Sequence, residues 1–189
     1  MCGMFSECSS LTSLDLRSFN TQNVTTMYGM FAECHSLISL DLRSFNTKNV
    51  IYMEGMFTEC NSLTSLDLRS FNTEKVINME GMFGSPMKGC SSLKTLDLST
   101  FNTKNTYNMG CMFLNCSSLI NLNLSSFNTK NVISMHGMFK GCTSLTAIDL
   151  SSFNAGNADV RDMFKGCINL LSCESSDKKI LSIFKKNKK

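Results

Sequence analysis

A Met-Phe pair recurs at residues 4, 30, 56, 82, 112, 138 and 163, so the steps between pairs are 26, 26, 26, 30, 26 and 25 residues. A fixed period of about 20 to 50 residues marks a chain built from stacked copies of one supersecondary unit. No single copy can bury its apolar residues alone, so stability must come from contacts between neighbours. The repeat therefore sets the fold class, and any function has to be sought in it.

The first complete unit reads Cys8, Leu11, Leu14-Asp15-Leu16, Phe19-Asn20-Thr21, Val24, Met27 and Met30-Phe31. Leu14 and Leu16 alternate with Ser13, Asp15 and Arg17, the spacing of a strand with one face inward. Met27, Met30, Phe31 and Cys34 fall at i, i+3, i+4 and i+7, the spacing of a helical face. Asn20-Thr21-Gln22-Asn23 carries turn chemistry between them. Gly29, Gly55, Gly81 and Gly137 precede the Met-Phe pairs and weaken a long helix, so the expectation there is a short or partly 3₁₀ helix. The pattern predicts an α/β repeat solenoid of about six to seven 26-residue coils, with a parallel β-sheet on one face and short helices or 3₁₀ turns on the other. Six strands are expected, Leu14–Leu16, Leu40–Leu42, Leu66–Leu68, Leu96–Leu98, Leu122–Leu124 and Ile148–Leu150.

Departures from the period carry information too. Gly84-Ser85-Pro86-Met87 lengthens the fourth coil by four residues and holds the single proline, so a surface loop is expected there. One residue is missing within Ala155–Asp159. After Leu170 the pattern fails: Cys173 takes the place of Leu14 and Ser175 that of Leu16. The division expected is a repeat array over residues 1–173 and, over 174–189, a capping helix (174–184) with a frayed lysine-rich tail.

Charge narrows the partners. Residues 1–173 carry 12 Lys+Arg against 13 Asp+Glu, and residues 174–189 carry 6 Lys against 2 acids. The body is near neutral and lacks the broad basic face that nucleic acid requires. No apolar run approaches the length of a membrane span, and no apolar signal-peptide core is present. Met1 already aligns with Met27 and Met4 with Met30, with no polar capping coil before them. The expectation is a truncated start, so the missing leader says little about location.

The shared pattern is Met-Phe-x-x-Cys-x-Ser-Leu-x-x-Leu-Asp-Leu-x-x-Phe-Asn-Thr-x-x-Val-x-x-Met, and it covers about residues 1 to 171. It resembles the 26-residue repeat of the BspA-like leucine-rich-repeat proteins, a domain of unknown function in surface proteins and lipoproteins of mycoplasma, Listeria and other bacteria. The resemblance implies a leucine-rich-repeat solenoid, surface display and a role in adhesion to host or extracellular proteins. It implies no enzymatic activity and no cofactor. The chain departs from the surface members of the family in lacking a lipobox and a wall-sorting motif.

Candidate chemistry is sparse in the sequence. Seven of the ten cysteines keep repeat register (Cys8, Cys34, Cys60, Cys90, Cys116, Cys142 and Cys167) and read as a reduced, inert core ladder. There is no Cys-x-x-Cys and no paired histidine spacing for zinc. Cys2, Cys111 and Cys173 lie off the ladder and are the candidates for disulfides or reactive thiols. His35 and His136 fall at unrelated repeat positions in distant coils, and no serine is singled out beside a base. The Asn series at 20, 46, 72, 102, 128 and 154 reads as a structural ladder whose amides can bond along the stack and satisfy turn backbone.

The outward strand face is the candidate partner-binding surface. Ser13, Asp15 and Arg17 project from the first strand, Ser39, Asp41 and Arg43 from the second, and Ser65, Asp67 and Arg69 from the third. Two accounts fit it: a solvated charge lattice, or a face that meets a protein or glycan. The function expected is a non-enzymatic protein-interaction module in surface adhesion at the cell surface or outside the cell. The alternative is an intracellular leucine-rich-repeat scaffold in the cytoplasm, where unbridged thiols are at home.

Overall fold

The computed structural model describes residues 1–188. It is a repeat fold with small parallel sheets and a single helix among those residues. Four short strands are present: β1 (Thr95–Asp97), β2 (Asn121–Asn123), β3 (Ala147–Asp149) and β4 (Ser172–Glu174). β1 pairs in parallel with β2, and β3 with β4. Helix α1 (Lys178–Asn187) closes the chain.

The Leu-Asp-Leu alternation is right about burial and wrong about pairing. Leu16, Leu42, Leu68, Leu98, Leu124 and Leu150 are buried, while Asp15, Arg17, Asp41, Arg43, Asp67 and Arg69 are exposed. Yet Leu14–Leu16, Leu40–Leu42 and Leu66–Leu68 form no strand, and the later strands sit one residue earlier than expected. One six-stranded sheet is replaced by two two-stranded ones. Bonds between the early repeats on this side are few and long, as from Ile38 N–H to Thr12 O at 3.3 Å and Thr64 N–H to Ile38 O at 3.2 Å.

Continuous pairing lies elsewhere. Thr26, Tyr52, Asn78, Asn108, Ser134 and Asp159 form an unbroken row of parallel bridges. Next to it, Met27, Gly29, Phe31 and Glu33 donate to Tyr52, Glu54, Met56 and Thr58 carbonyls at 2.8 to 2.9 Å. The same four bonds repeat from Met109, Cys111, Phe113 and Asn115 to Ser134, His136, Met138 and Lys140. Of the short helices or 3₁₀ turns expected here, separate turns closed by i to i+3 bonds are what form. Alternate backbone donors are spent on the next repeat, and those between close three-residue turns such as Met30 N–H to Met27 O and Ala32 N–H to Gly29 O. Left-handed backbone at Gly29 (φ 55) and Glu33 (φ 61) interrupts any helical run. Residues 27, 30, 31 and 34 share an inward face because consecutive turns, not a helix, return them to it.

Neighbouring repeats are locked by side-chain ladders. Phe5, Phe31, Phe57, Phe83, Phe113, Phe139 and Phe164 stack with ring centroids 5.6 to 5.8 Å apart. The Met series from Met27 and Met30 through Met138 is fully buried. Ladder thiols are unbridged and donate across the stack, Cys60 to Phe31 O and Cys142 to Phe113 O, each at 3.1 Å. Cys8 alone of the seven is exposed. Of the two roles expected for the Asn series, the structure shows the satisfied turn backbone and not bonds between side-chain amides along the stack. Asn46 Oδ1 instead accepts from Lys48 N–H within its own turn, and Asn72, Asn102 and Asn128 do the same. The ladder along the stack is made by buried threonines at 21, 47, 73, 103 and 129.

Two further expectations shift. The inserted loop is Pro86–Gly89: Cys90 N–H bonds to Phe83 O as Cys60 N–H does to Phe57 O, while Gly84 and Ser85 are buried. The repeat does not fail at residue 170, since β4 pairs Ile148 with Cys173. The cap begins later than expected, at Lys178, because Asp177 starts it. Asp177 Oδ1 accepts from Lys179 and Ile180 N–H, and Oδ2 accepts from Ala155 N–H at 2.7 Å. Ile180 and Phe184 bury against the last repeat. The tail expected to fray is held at Lys188, which donates to Leu171 O at 2.6 Å; Lys189 lies outside the described residues.

Candidate functional site

On the outward face the first three repeats build the same device three times. Asp15 Oδ1 accepts from Arg17 Nε at 3.0 Å and Oδ2 from Arg17 Nη2 at 2.7 Å, while the Arg17 backbone N–H also reaches Oδ1. Asp41 with Arg43 and Asp67 with Arg69 repeat this to within 0.1 Å. Side chains two apart on an extended segment share a face, which is why each guanidinium finds the carboxylate of its own repeat. Hydrogen bonds from the arginine hold Asp15, Asp41 and Asp67 down at about 2. Each carboxylate thus accepts three hydrogen bonds from its own arginine. Ser13, Ser39 and Ser65 are exposed on the same face.

From the fourth repeat the arginine is replaced by Ser99, Ser125 and Ser151. Their backbone N–H groups still bond Asp97, Asn123 and Asp149 Oδ1 at 2.8 to 3.1 Å. Without guanidinium forks the face opens into a trough of about 470 Å³ along β1 to β4, floored by Leu96, Leu122 and Ile148 and rimmed by Asp97, Asn123 and Asp149. Hollows of about 380 and 310 Å³ continue it past Ser65–Arg69 and Ser39–Arg43. The nine candidate residues share one exposed face, and the hollow of about 470 Å³ lies on the half of that face they do not include. The signal was available: a small residue at 99, 125 and 151 where an arginine stands in earlier repeats.

The other off-ladder candidates separate. Cys2 is exposed, and burial pushes the Cys173 thiol up to about 11. Burial also holds the core thiols Cys34 and Cys116 up at about 11 and 12. Cys111 has a neighbour the sequence did not suggest: its Sγ lies 3.3 Å from His136 Nε2. His35 is elsewhere, its Nδ1 bonded to Glu59 O at 3.0 Å. Among the described residues no group of three or more His, Cys, Asp or Glu side chains is placed to hold a metal ion. Nor is any helix there long and apolar enough to cross a membrane.

A family model described as Mycoplasma protein of unknown function, DUF285, matches residues 1–88 and again 85–180. The chain belongs to the DUF285 family. The two DUF285 matches meet at residues 85–88, where the fourth repeat carries its extra loop. The second extends through β4, which agrees with a seventh repeat continuing past Leu170. No curated protein matches the chain.

Proposed function

We propose that this DUF285 chain is a leucine-rich-repeat solenoid of the BspA-like surface-protein type. On this reading it is a non-enzymatic interaction module that meets an extracellular or host protein, or a glycan, with its outward strand face. The observation that carries this reading is the row of adjoining hollows over repeats two to seven, lined by paired Asp/Arg forks at one end and by Asp97, Asp149 and Glu174 with no basic side chain at the other. Long polar faces of this kind suit extended partners better than a small enclosed ligand. The reading is tested with the full chain on a panel of immobilised matrix proteins and a glycan array. Binding that drops at least tenfold in Arg17→Ser/Arg43→Ser/Arg69→Ser or in Asn121→Lys/Asn123→Lys supports it. Wild-type protein that binds nothing on either panel, or binding indifferent to both variants, rejects it.

A second reading, an intracellular scaffold on the same face, is favoured by one observation: all ten cysteines are unbridged, as in a reducing compartment. Protease treatment of intact cells separates the two. Digestion of the array while a cytosolic control survives supports display at the surface; protection until lysis supports the scaffold.

A further inference from the structure

One repeat departs from its siblings in a coordinated way. Position 111 is glycine in five other repeats (Gly3, Gly29, Gly55, Gly81 and Gly137) and aspartate in the last (Asp162), all with φ between 55 and 58. Cys111 adopts the same left-handed backbone, φ 55, which a β-carbon disfavours. The residue before it is Gly110, where the two preceding repeats have Glu54 and Glu80. A side chain at Gly110 would collide with the next repeat, its Cβ falling 2.8 Å from His136 Nδ1. The exchange of the usual residue-glycine order for Gly110-Cys111 thus clears a seat for the His136 ring and brings a thiol to its edge.

The ring is oriented on both sides. His136 Nδ1 lies 3.2 Å from Ser134 Oγ and Nε2 lies 3.3 Å from Cys111 Sγ. With Nδ1 carrying the ring proton and donating to Ser134, Nε2 is left bare to accept from the thiol. Nucleophile, base and orienting group in hydrogen-bond sequence are the arrangement that activates a thiol. The sulfur is half-buried, and its neighbour Gly137 presents no side chain there: a Cβ at Gly137 would sit 3.5 Å from Sγ.

We propose that Cys111, His136 and Ser134 form a covalent modification site at which the thiol adds to small neutral electrophiles of the activated-alkene class. In that addition the S–H proton passes to His136 Nε2 as the S–C bond forms at the β-carbon. The resulting enolate then takes the proton back at its α-carbon. The sum is addition of S–H across the double bond, with no oxidant and no leaving group. Cys111 here is a nucleophile, and Ser134 a positioning residue. Burial raises the Cys111 thiol above its ordinary value, so spontaneous thiolate is scarce and reaction depends on the imidazole. Glu80 and Lys140 act on the thiol with opposite signs.

The full chain is treated with N-ethylmaleimide at pH 7, quenched at intervals, and the rates at Cys111, Cys2 and Cys8 are read separately by peptide mass spectrometry. Cys2 and Cys8 are exposed and serve as internal controls. Cys111 is expected to react at least as fast as Cys8 despite its burial. His136→Asn should slow Cys111 threefold or more, and leave Cys2 and Cys8 unchanged. A wild-type Cys111 slower than Cys8, or a His136→Asn rate reduced less than threefold, overturns the proposal. If His136→Asn loses the native circular dichroism, Ser134→Ala decides under the same threefold threshold, since it keeps the imidazole.

Discussion

Thr73 holds both backbone groups of Asn102 in the following repeat: its hydroxyl donates to the Asn102 carbonyl at 3.1 Å and accepts from the Asn102 N–H at 2.8 Å. Thr47 does the same to Asn72, and Thr103 to Asn128. Thr73 is buried while Asn102 lies at the surface, so water replaces the hydroxyl only in part if it is removed. Leaving a buried donor and acceptor unpaired costs about 1 to 3 kcal/mol each. Thr73→Val is expected to destabilise the chain by about 2 to 4 kcal/mol, since it keeps shape and deletes both bonds. Thr73→Ser keeps the hydroxyl and should lose only about 1 kcal/mol for the missing methyl. Urea unfolding of the pair checks this; equal losses would show that packing, not the hydroxyl, holds the repeats together.

What could be read from the sequence followed side-chain direction. Alternation at Leu14 and Leu16 states which atoms face inward, and the structure obeys it. Backbone pairing is another matter, because nothing in Leu-Asp-Leu says whether its N–H groups reach the next repeat. The helical spacing of Met27, Met30, Phe31 and Cys34 misled for a physical reason. Turns closed by i to i+3 bonds return side chains to one face much as a helix does, and the left-handed residues that break the helix include Glu33, which no composition rule marks. Thr21, Thr47 and Thr73 were passed over beside the more conspicuous asparagines. Cys111 and His136, 25 residues apart, become neighbours only through stacking.

Two glycines separate conformational strain from steric contact. A Cβ at Gly29 would meet nothing nearer than 3.8 Å, but the residue sits at φ 55. Gly29→Ala is therefore expected to cost about 1 to 2 kcal/mol from backbone conformation alone. Gly84 has no such φ, yet a Cβ there would lie 2.1 Å from Cys111 O and 2.4 Å from Leu114 N, both backbone atoms that cannot swing away. Gly84→Ala should cost about 3 kcal/mol or more, at the upper end of overpacking effects. Thermal unfolding ranks the two, and the reverse order would refute the assignment.

The aspartate forks make a pH prediction with a definite sign. Asp15, Asp41 and Asp67 are held at about 2 in the folded chain, against about 3.9 for an unfolded aspartate. A depressed carboxylate contributes stability that is present above about pH 4 and lost as pH falls toward 2. All three pairs face solvent, so the effect on melting temperature is small, and the carboxylates themselves are the better readout. In Arg17→Ser/Arg43→Ser/Arg69→Ser, carboxyl NMR titration should show all three aspartates shifting upward toward the ordinary value. Unmoved midpoints would mean that backbone N–H bonds, not the guanidinium groups, set them.

The extra loop of the fourth repeat should be removable. Cys90 N–H bonds to Phe83 O at 2.9 Å, as Cys60 N–H bonds to Phe57 O at 3.2 Å, so the connection across the loop is already the one the shorter repeats use. Deleting Pro86–Gly89 restores Phe-x-x-Cys spacing while leaving Gly84 and Ser85 in their buried places. Asn115 Nδ2 now spans Ser85 O and Pro86 O at 3.0 and 3.1 Å, and the deletion keeps the first of these partners. Met87 is 82% exposed and contributes nothing to the core. The deletion also removes the Met87 N–H to Ser85 Oγ bond and the buried Gly89, so the shortened chain is expected to unfold cooperatively in urea with an unchanged slope and a loss of about 1 to 3 kcal/mol. A reduced slope would mean that the loop takes part in coupling repeats one to three to those that follow.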